Sequence, residues 1–384
     1  MSLSPDERDE LRASARSLLG RESPSQRVRA VIAEHPGFDR ALWQQIVDVG
    51  WTSLNVPAEQ GGAGGGYSDL SVILLELGRA IVPSPFLASA VLTNAALTLA
   101  DNDGVVSELL PPLMGGEALG SVAFASCSGS YDTAFLSTAW ERTDSRVRLQ
   151  GTAGFVLDAD VSDVLVVAAR GPQGDPAVLA IGAATSGVNV ERSPTVDPTR
   201  RLFTVAFDDV AVSGDQMLCE PGARAAEVLG QILAVGVIAA ACDATGVAER
   251  ALHGATAYAR ERVQFDKPIG SFQAVKHHCA NMAIAVEASR AAVGAASDAL
   301  DADRGSWATT ADVTSSYVGP ACAEACGLAL RVHGGIGFTW EHDSHLYLKR
   351  AKLDEVLFGT PSWHRRRLAG AMIAAVEGSE EERL

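Results

Sequence analysis

The sequence predicts an α+β fold with an N-terminal helical domain, a middle antiparallel β domain and a C-terminal helical bundle. Three observations carry this. The hydrophobic period is 3 to 4 in the first segment, 2 in the middle and 3 to 4 again at the end. Strands and helices are thus segregated along the chain, which excludes an alternating βαβ dinucleotide fold. The 384 residues, nearly half of them apolar, suffice for more than one buried core.

Residues 1–117 form the first segment, with apolar stripes in ELRASARSLL, FDRALWQQIVDVGW and SDLSVILLELGRAI. Ser4, Pro5 and Glu7 have the spacing of an N-cap, first-turn proline and capping box, so a helix opens there. The run VPAEQGGAGGG lacks the Gly-Lys-Ser/Thr ending of a phosphate loop and follows no strand, so it reads as a connection into the helix from Ser68. Residues 118–220 contain SVAFAS, RVRLQG, DVLVVAA, AVLAIG and LFTVAFDDV, separated by Gly, Pro, Asp and Ser clusters typical of strand ends. Residues 221–384 begin with a long apolar stretch from Ala223 to about Arg262, the pattern of a bundle's core helix.

A formal charge of −16 and a pI near 4.9 repel phosphate backbones and anionic lipid, so neither nucleic acid nor membrane is an expected partner. The start, MSLSPDERDELRA, is acidic where a signal peptide is basic and then apolar, which points to a cytoplasmic protein. The apolar run ILAVGVIAAAC at 232–242 falls short of the ~20 residues that cross a bilayer and reads as a buried helix. Six cysteines, at 127, 219, 242, 279, 322 and 326, show no metal-ligand spacing and read as small core residues, so no metal is expected.

Chemistry concentrates in two C-terminal stretches, RERVQFDKPIGSFQAVKHHCANMA at 260–283 and RVHGGIGFTWEHDSHLYLKRAK at 331–352. With the three-segment order, they resemble the acyl-CoA dehydrogenase family along nearly the whole chain. The resemblance implies a four-helix bundle at the C-terminus and an FAD cofactor. It assigns the ADP half of FAD to Arg262, Gln273 and the Gly334–Gly335 pair, with Gln264, Phe265, Arg331 and Thr360 beside them and Phe155 on the flavin side. A guanidinium fork suits a pyrophosphate, and glycine lets backbone amides approach it closely. At Arg331 the family most often has glutamine. The family's reaction is α,β-dehydrogenation of an acyl-CoA thioester: a glutamate removes the α-proton while the β-hydrogen leaves as hydride to the flavin.

Both family positions for that glutamate are empty. VLFGTPSWHRRR at 356–367 keeps the turn but puts Phe358 where the base belongs, and the alternative position, 22 residues before Tyr258, is Gly236 between Val235 and Val237. The flavin loop departs as well. FASCSGSYD at 124–132 replaces a Thr-Glu-Pro and Gly-Ser-Asp pattern, with Tyr131 near the expected serine, and FVL at 155–157 puts Leu157 at a hydroxyl position. In the family the ADP half of each FAD is held largely by the neighbouring subunit.

The pattern therefore resembles the non-catalytic member of bacterial α2β2 acyl-CoA dehydrogenases. That implies a homologous partner subunit, an acyl-CoA substrate of steroid origin by analogy, and an electron-transferring flavoprotein as acceptor. Two alternatives stay open. One is a self-sufficient homotetramer whose base is an unaligned acid among Glu341, Asp343, Asp354 and Glu355; the other is a non-enzymatic protein that binds an acyl ligand.

Overall fold

The computed structural model describes residues 3–143, 145–302 and 305–381. Ser4 opens the first helix, α1 (Pro5–Glu22), through the reciprocal capping box. The Glu7 amide donates to Ser4 Oγ at 3.4 Å and the Ser4 amide to Glu7 Oε2 at 2.7 Å. Helices α2 (Ser25–Ala33), α3 (Arg40–Asp48) and α4 (Tyr67–Arg79) follow, then α5 (Asn94–Thr98) and α6 (Asp103–Met114). The glycine run ends against Asp69, whose Oδ2 accepts from the Gly66 amide at 2.9 Å while Oδ1 takes Arg8 Nε at 2.7 Å. The run is thus a connection fixed to the start of α4.

One seven-stranded sheet fills the middle of the sequence. Its strands are β1 (Gly120–Ala123), β2 (Thr138–Thr143), β3 (Arg146–Leu157), β4 (Val164–Arg170), β5 (Pro176–Gly182), β6 (Val188–Ser193) and β7 (Leu202–Ser213). The order is β1-β4-β2-β3-β7-β6, with β5 also on β4. Pairing is mainly antiparallel, as expected, but β1 and β2 each run parallel to β4. Alternation specifies which face a residue takes and not the direction of its neighbour, so these parallel pairs were not legible. Strands β4 and β5 are buried nearly throughout, whereas β2 and β6 are largely polar and exposed. Leu149, Leu165, Leu179, Val205 and Phe207 build the core of this sheet.

Four long helices and one short one dominate the remainder. They are α7 (Ala223–Glu261), α8 (Gln273–Asp301), α9 (Trp307–His333), the short α10 (Ser344–Asp354) and α11 (Pro361–Glu381). A two-residue hairpin, β8 (Val263–Gln264) and β9 (Lys267–Pro268), joins α7 to α8. By length and composition α7 could cross a membrane, its most apolar 18-residue window having a mean hydropathy of 1.9, yet 78% of that window is buried inside the protein. It is the core helix anticipated from its sequence. Cys219, Cys242, Cys322 and Cys326 are core residues, whereas Cys127 is exposed and Cys279 half-buried.

The chain divides into two compact units, Met1–Arg8, Gln26–Leu70 and Pro83–Gly236 in the first and Asp9–Ser25, Ser71–Val82 and Val237–Leu384 in the second. The grouping follows packing and cuts across chain order. In the second unit Glu249 on α7 collects cations, with Arg290 Nη2 at 2.6 Å and Arg16 and Arg79 at 3.6 Å. Deeper in the same unit Arg350 grips Asp243 in a bidentate pair, Nε to Oδ2 at 2.8 Å and Nη2 to Oδ1 at 3.0 Å, both side chains being buried.

Removing one partner of such a pair takes the main counter-ion from a buried charge, here leaving Arg350 with the more distant Asp354, and typically costs about 3–5 kcal/mol. Asp243→Ala should therefore lower the urea unfolding midpoint sharply. Asp9→Ala, which removes only an exposed pair with Arg12, should leave it nearly unchanged.

Candidate functional site

In the second unit the site is assembled where α7 and α9 end. Arg262 directly follows α7, its amide donating to Tyr258 O at 2.8 Å, and its carbonyl accepts the Ile269 amide at 2.8 Å, which closes the β8–β9 hairpin. The hairpin tip carries Phe265 and Asp266 at positive φ of 54° and 61°. Phe265 is 86% exposed, its ring standing edge-on to Phe272 at 6.0 Å, and Lys267 lies 4.5 Å above the Phe272 ring. Gln273 is the first residue of α8 and is exposed.

On the other side α9 runs out at His333, and Gly334 takes φ +65° and ψ −144°, a conformation that side chains avoid. A Cβ at Gly334 or Gly335 would meet nothing within 4 Å, so the backbone here is open to a ligand. The two motifs are joined by a ring contact. Tyr258, one turn before Arg262, lies 4.8 Å from the ring of His333, which immediately precedes Gly334.

Arg262, Gln273 and Arg331 are all exposed, and none makes a side-chain hydrogen bond or ion pair among the described residues. Two guanidinium groups, an amide and a bare glycine turn form a donor set that fits a pyrophosphate. Gln264 belongs to the hairpin, where its Nε2 donates to its neighbour Val263 O at 2.8 Å. Thr360 stands apart from the hairpin, in the turn that starts α11, and its hydroxyl contacts Ser362 Oγ at 3.1 Å.

That turn is held by a histidine whose role spacing alone does not reveal. Phe358 has φ +65° and is buried, and Gly359 has φ +114°. His364, fully buried, approaches the Phe358 carbonyl through Nε2 at 3.1 Å and Asp312 Oδ1 through Nδ1 at 2.6 Å. The carbonyl oxygen only accepts, so Nε2 carries a hydrogen and donates to it. Arg367 Nε completes the cluster 3.2 Å from Asp312 Oδ2. The left-handed turn at which the resemblance places a base is thus built and braced, and the side chain it carries is an aromatic ring. Gly236, to which the resemblance gives the alternative base position, and its neighbours Val235 and Val237 are buried within α7. The nearby acids are engaged elsewhere. Asp343 accepts from Ser25 Oγ at 2.5 Å, Glu355 pairs with Lys352 at 2.8 Å, and Asp354 lies 3.8 Å from Arg350.

In the first unit the loop at 124–132 closes on itself. The Ser126 amide donates to Ser130 O at 2.9 Å, the Ser130 amide to Ser126 Oγ at 3.1 Å, and the Ser126 and Ser128 hydroxyls meet at 2.8 Å. Tyr131 is buried edge-on to Phe124, with ring centroids 5.5 Å apart. Phe155 sits in the register shift between Ala153 and Val156 at φ +55°, a bulge that turns its ring partly outward, while Leu157 is buried. The loop's hydroxyls are spent on its own turn, and the residues present suit a flavin ring poorly.

Comparison with known proteins identifies both helical segments and the fold. The N-terminal domain model of acyl-CoA dehydrogenase matches residues 5–117 and the C-terminal domain model residues 226–373. Acyl-CoA dehydrogenase IpdE2 of Mycobacterium tuberculosis is 33% identical over 368 residues, covering 95% of this chain and 96% of that protein. Among solved structures, a variant of the Tcur3481–Tcur3483 steroid ACAD is 27% identical with a TM-score of 0.88, covering 97% of this chain and 99% of its own. A chain of the ChsE4–ChsE5 complex from Mycobacterium tuberculosis is 26% identical with a TM-score of 0.86, covering 97% and 98%.

His364→Ala should destabilise the protein by about 2–4 kcal/mol in urea unfolding, because it leaves the buried Asp312 carboxylate with Arg367 alone and the Phe358 carbonyl without its donor. An unchanged midpoint would mean that the turn does not depend on this brace.

Proposed function

The chain belongs to the acyl-CoA dehydrogenase family, and from that premise we propose that it is the base-free subunit of a heteromeric FAD-dependent enzyme, completing the ADP side of a cofactor site on a homologous partner. FAD is the family's cofactor and supplies the hydride acceptor for α,β-dehydrogenation. The observation that carries the reading is Phe358: the turn that presents the base in this family is intact and braced, and its side chain has no proton-accepting group.

The uneven condition of the two half-sites supports the rest. Arg262, Gln273, Arg331 and the Gly334–Gly335 turn are exposed and uncommitted toward a pyrophosphate, whereas the flavin-side loop has closed on its own hydroxyls. Exposed aromatic residues flank the donor set, Phe265 at 86% and Trp340 at 66% exposure, as expected of a face covered in an assembly. A two-component assembly is proposed by analogy with the ChsE4–ChsE5 complex, and we take its stoichiometry to be α2β2. The substrate proposed is a steroid-derived acyl-CoA thioester, since one similar structure is a steroid ACAD. The proposed electron acceptor is an electron-transferring flavoprotein, by family analogy. Glu341, Asp343, Asp354 and Glu355 each have partners of their own, which disfavours a homomeric enzyme using one of them as base.

In this arrangement the chain's own residues bind and orient. Arg262 places charge at the pyrophosphate, the bare Gly334–Gly335 backbone admits it, and Phe358 excludes water where the partner's counterpart carries a carboxylate. A charge-assisted contact of this kind contributes ~1.5 to 3 kcal/mol.

Arg262→Ala should weaken FAD binding by the co-expressed complex about ten- to a hundredfold and lower its activity correspondingly, with assembly intact. Full FAD occupancy and an unchanged dissociation constant would show that this chain does not complete its partner's cofactor site.

A further inference from the structure

A second group of cations gathers in the second unit, away from the residues named for FAD. Where α1 and α4 end, their side chains and those of α7 and α10 enclose a cavity of about 290 Å³. Its wall carries Arg16 from α1, Glu76 and Arg79 from α4, Arg250 from α7 and Tyr347 from α10, all within that one unit. Three arginines against one glutamate leave an excess of two positive charges at neutral pH. Glu249, behind the wall, does not cancel it, because Arg290 Nη2 holds that carboxylate at 2.6 Å. In a chain whose formal charge is −16, this is a local island of the opposite sign.

The three arginines are not equally engaged. Arg16 is committed to Glu76, with Nε at 3.0 Å and Nη2 at 2.6 Å from its two oxygens. Arg79 has no such partner. Its Nε is buried without a hydrogen-bond acceptor, and its ion contact, Glu249 Oε1, stands 3.6 Å away. Burial first, and then the Arg16 and Arg250 charges, hold the Arg79 guanidinium below its usual value, against the opposing pull of Glu76 and Glu249. Arg250 is exposed and lies against the Tyr347 hydroxyl. A buried N–H without an acceptor and crowded like charges are both unfavourable, and an anion in the cavity answers both. The end of α4 does not oppose it with bare carbonyls. The Ala80, Ile81 and Val82 amides donate to the carbonyls of Glu76, Gly78 and Leu77 at 3.0, 2.9 and 3.0 Å, which closes that helix end on itself.

We propose that this cavity binds a phosphate dianion, with Arg79 and Arg250 as its direct ligands and Arg16 lending charge from behind Glu76. The excess of two charges selects the class of anion, since a phosphate monoester carries about −1.5 to −2 near neutral pH and a carboxylate half of that. A guanidinium presents its N–H groups as a fork that matches phosphate oxygens. The volume lies at the lower end of small-ligand pockets, roughly 300–1,000 Å³, and so suits free phosphate with its waters or a small phosphate monoester. A bound phosphate would cross-link α1, α4, α7 and α10 around one ion. The proposal is independent of the half-site reading.

The test is calorimetric titration of the full-length chain with inorganic phosphate at neutral pH and constant ionic strength, where saturable binding is expected. Gly20 lines the same cavity, and a Cβ there meets nothing within 4 Å, so Gly20→Glu brings in a carboxylate without removing any existing pair. It should weaken phosphate binding at least about tenfold, whereas the uncharged Gly20→Gln should stay within about threefold of wild type. Arg79→Gln should weaken it by about tenfold or more. Phenyl phosphate should bind at least about tenfold more tightly than benzoate, which offers a similar ring with one charge. Tighter binding of phenyl phosphate than of inorganic phosphate would assign the site to a phosphate carried on a larger molecule, and the reverse order to free phosphate. Absence of saturable binding, equal affinity for benzoate, or dissociation constants unchanged in Gly20→Glu and Arg79→Gln proteins that are folded by circular dichroism would overturn the proposal. So would a phosphate signal that vanishes in Arg262→Ala and persists in Gly20→Glu, since it would belong to the Arg262 donors instead.

Discussion

A buried imidazole bridging a carboxylate and a backbone carbonyl is the constraint on which the rest of this site depends. His364 spans Asp312 and the Phe358 carbonyl, and so secures a backbone with two successive residues at positive φ. Such a turn is costly for a side chain with a Cβ, and it persists only where its surroundings over-determine it. Here the costly geometry is retained around a phenylalanine. That geometry fits the proposal of a subunit whose shape at this turn matters to a pocket although Phe358 itself carries no carboxylate.

The same contrast runs through the other half-site. The donors proposed for the ADP side are presented on surface features, a hairpin with an almost bare Phe265 at its tip and a glycine turn with empty space around it. Those features are poor uses of a monomer's surface and good uses of an interface. Beneath them the protein is rigidly charged. Asp243 and Arg350 are paired in the interior, and Glu249 gathers three arginines. A net charge of −16 thus coexists with locally basic surface where an anionic cofactor would be met.

Much of the fold was legible in the residues. The capping box at Ser4, the core helix from Ala223 and five of the seven strands in the sheet are where period and turn chemistry put them. Strands β2 and β6 were not, because TAWERT and VNVERS are too polar and exposed to show a clean alternation. Residue type alone singled out Arg262, Gln273 and the Gly334–Gly335 pair as candidates, and Phe358 as a side chain with no proton-accepting group. The site was not legible where it depends on long-range packing. His364 and Asp312 are 52 residues apart, and nothing in either neighbourhood announces their bond. The contact between the His333 and His342 rings, with centroids 4.3 Å apart, was hidden similarly, since no helical or strand period relates the two.

The most direct measurement of the central claim is the flavin content of the chain purified alone and together with its homologous dehydrogenase partner, by absorbance near 450 nm, alongside turnover of an acyl-CoA thioester. The account predicts a nearly colourless, inactive protein alone and a yellow, active complex. A chain that purifies alone saturated with FAD and oxidises an acyl-CoA would contradict it.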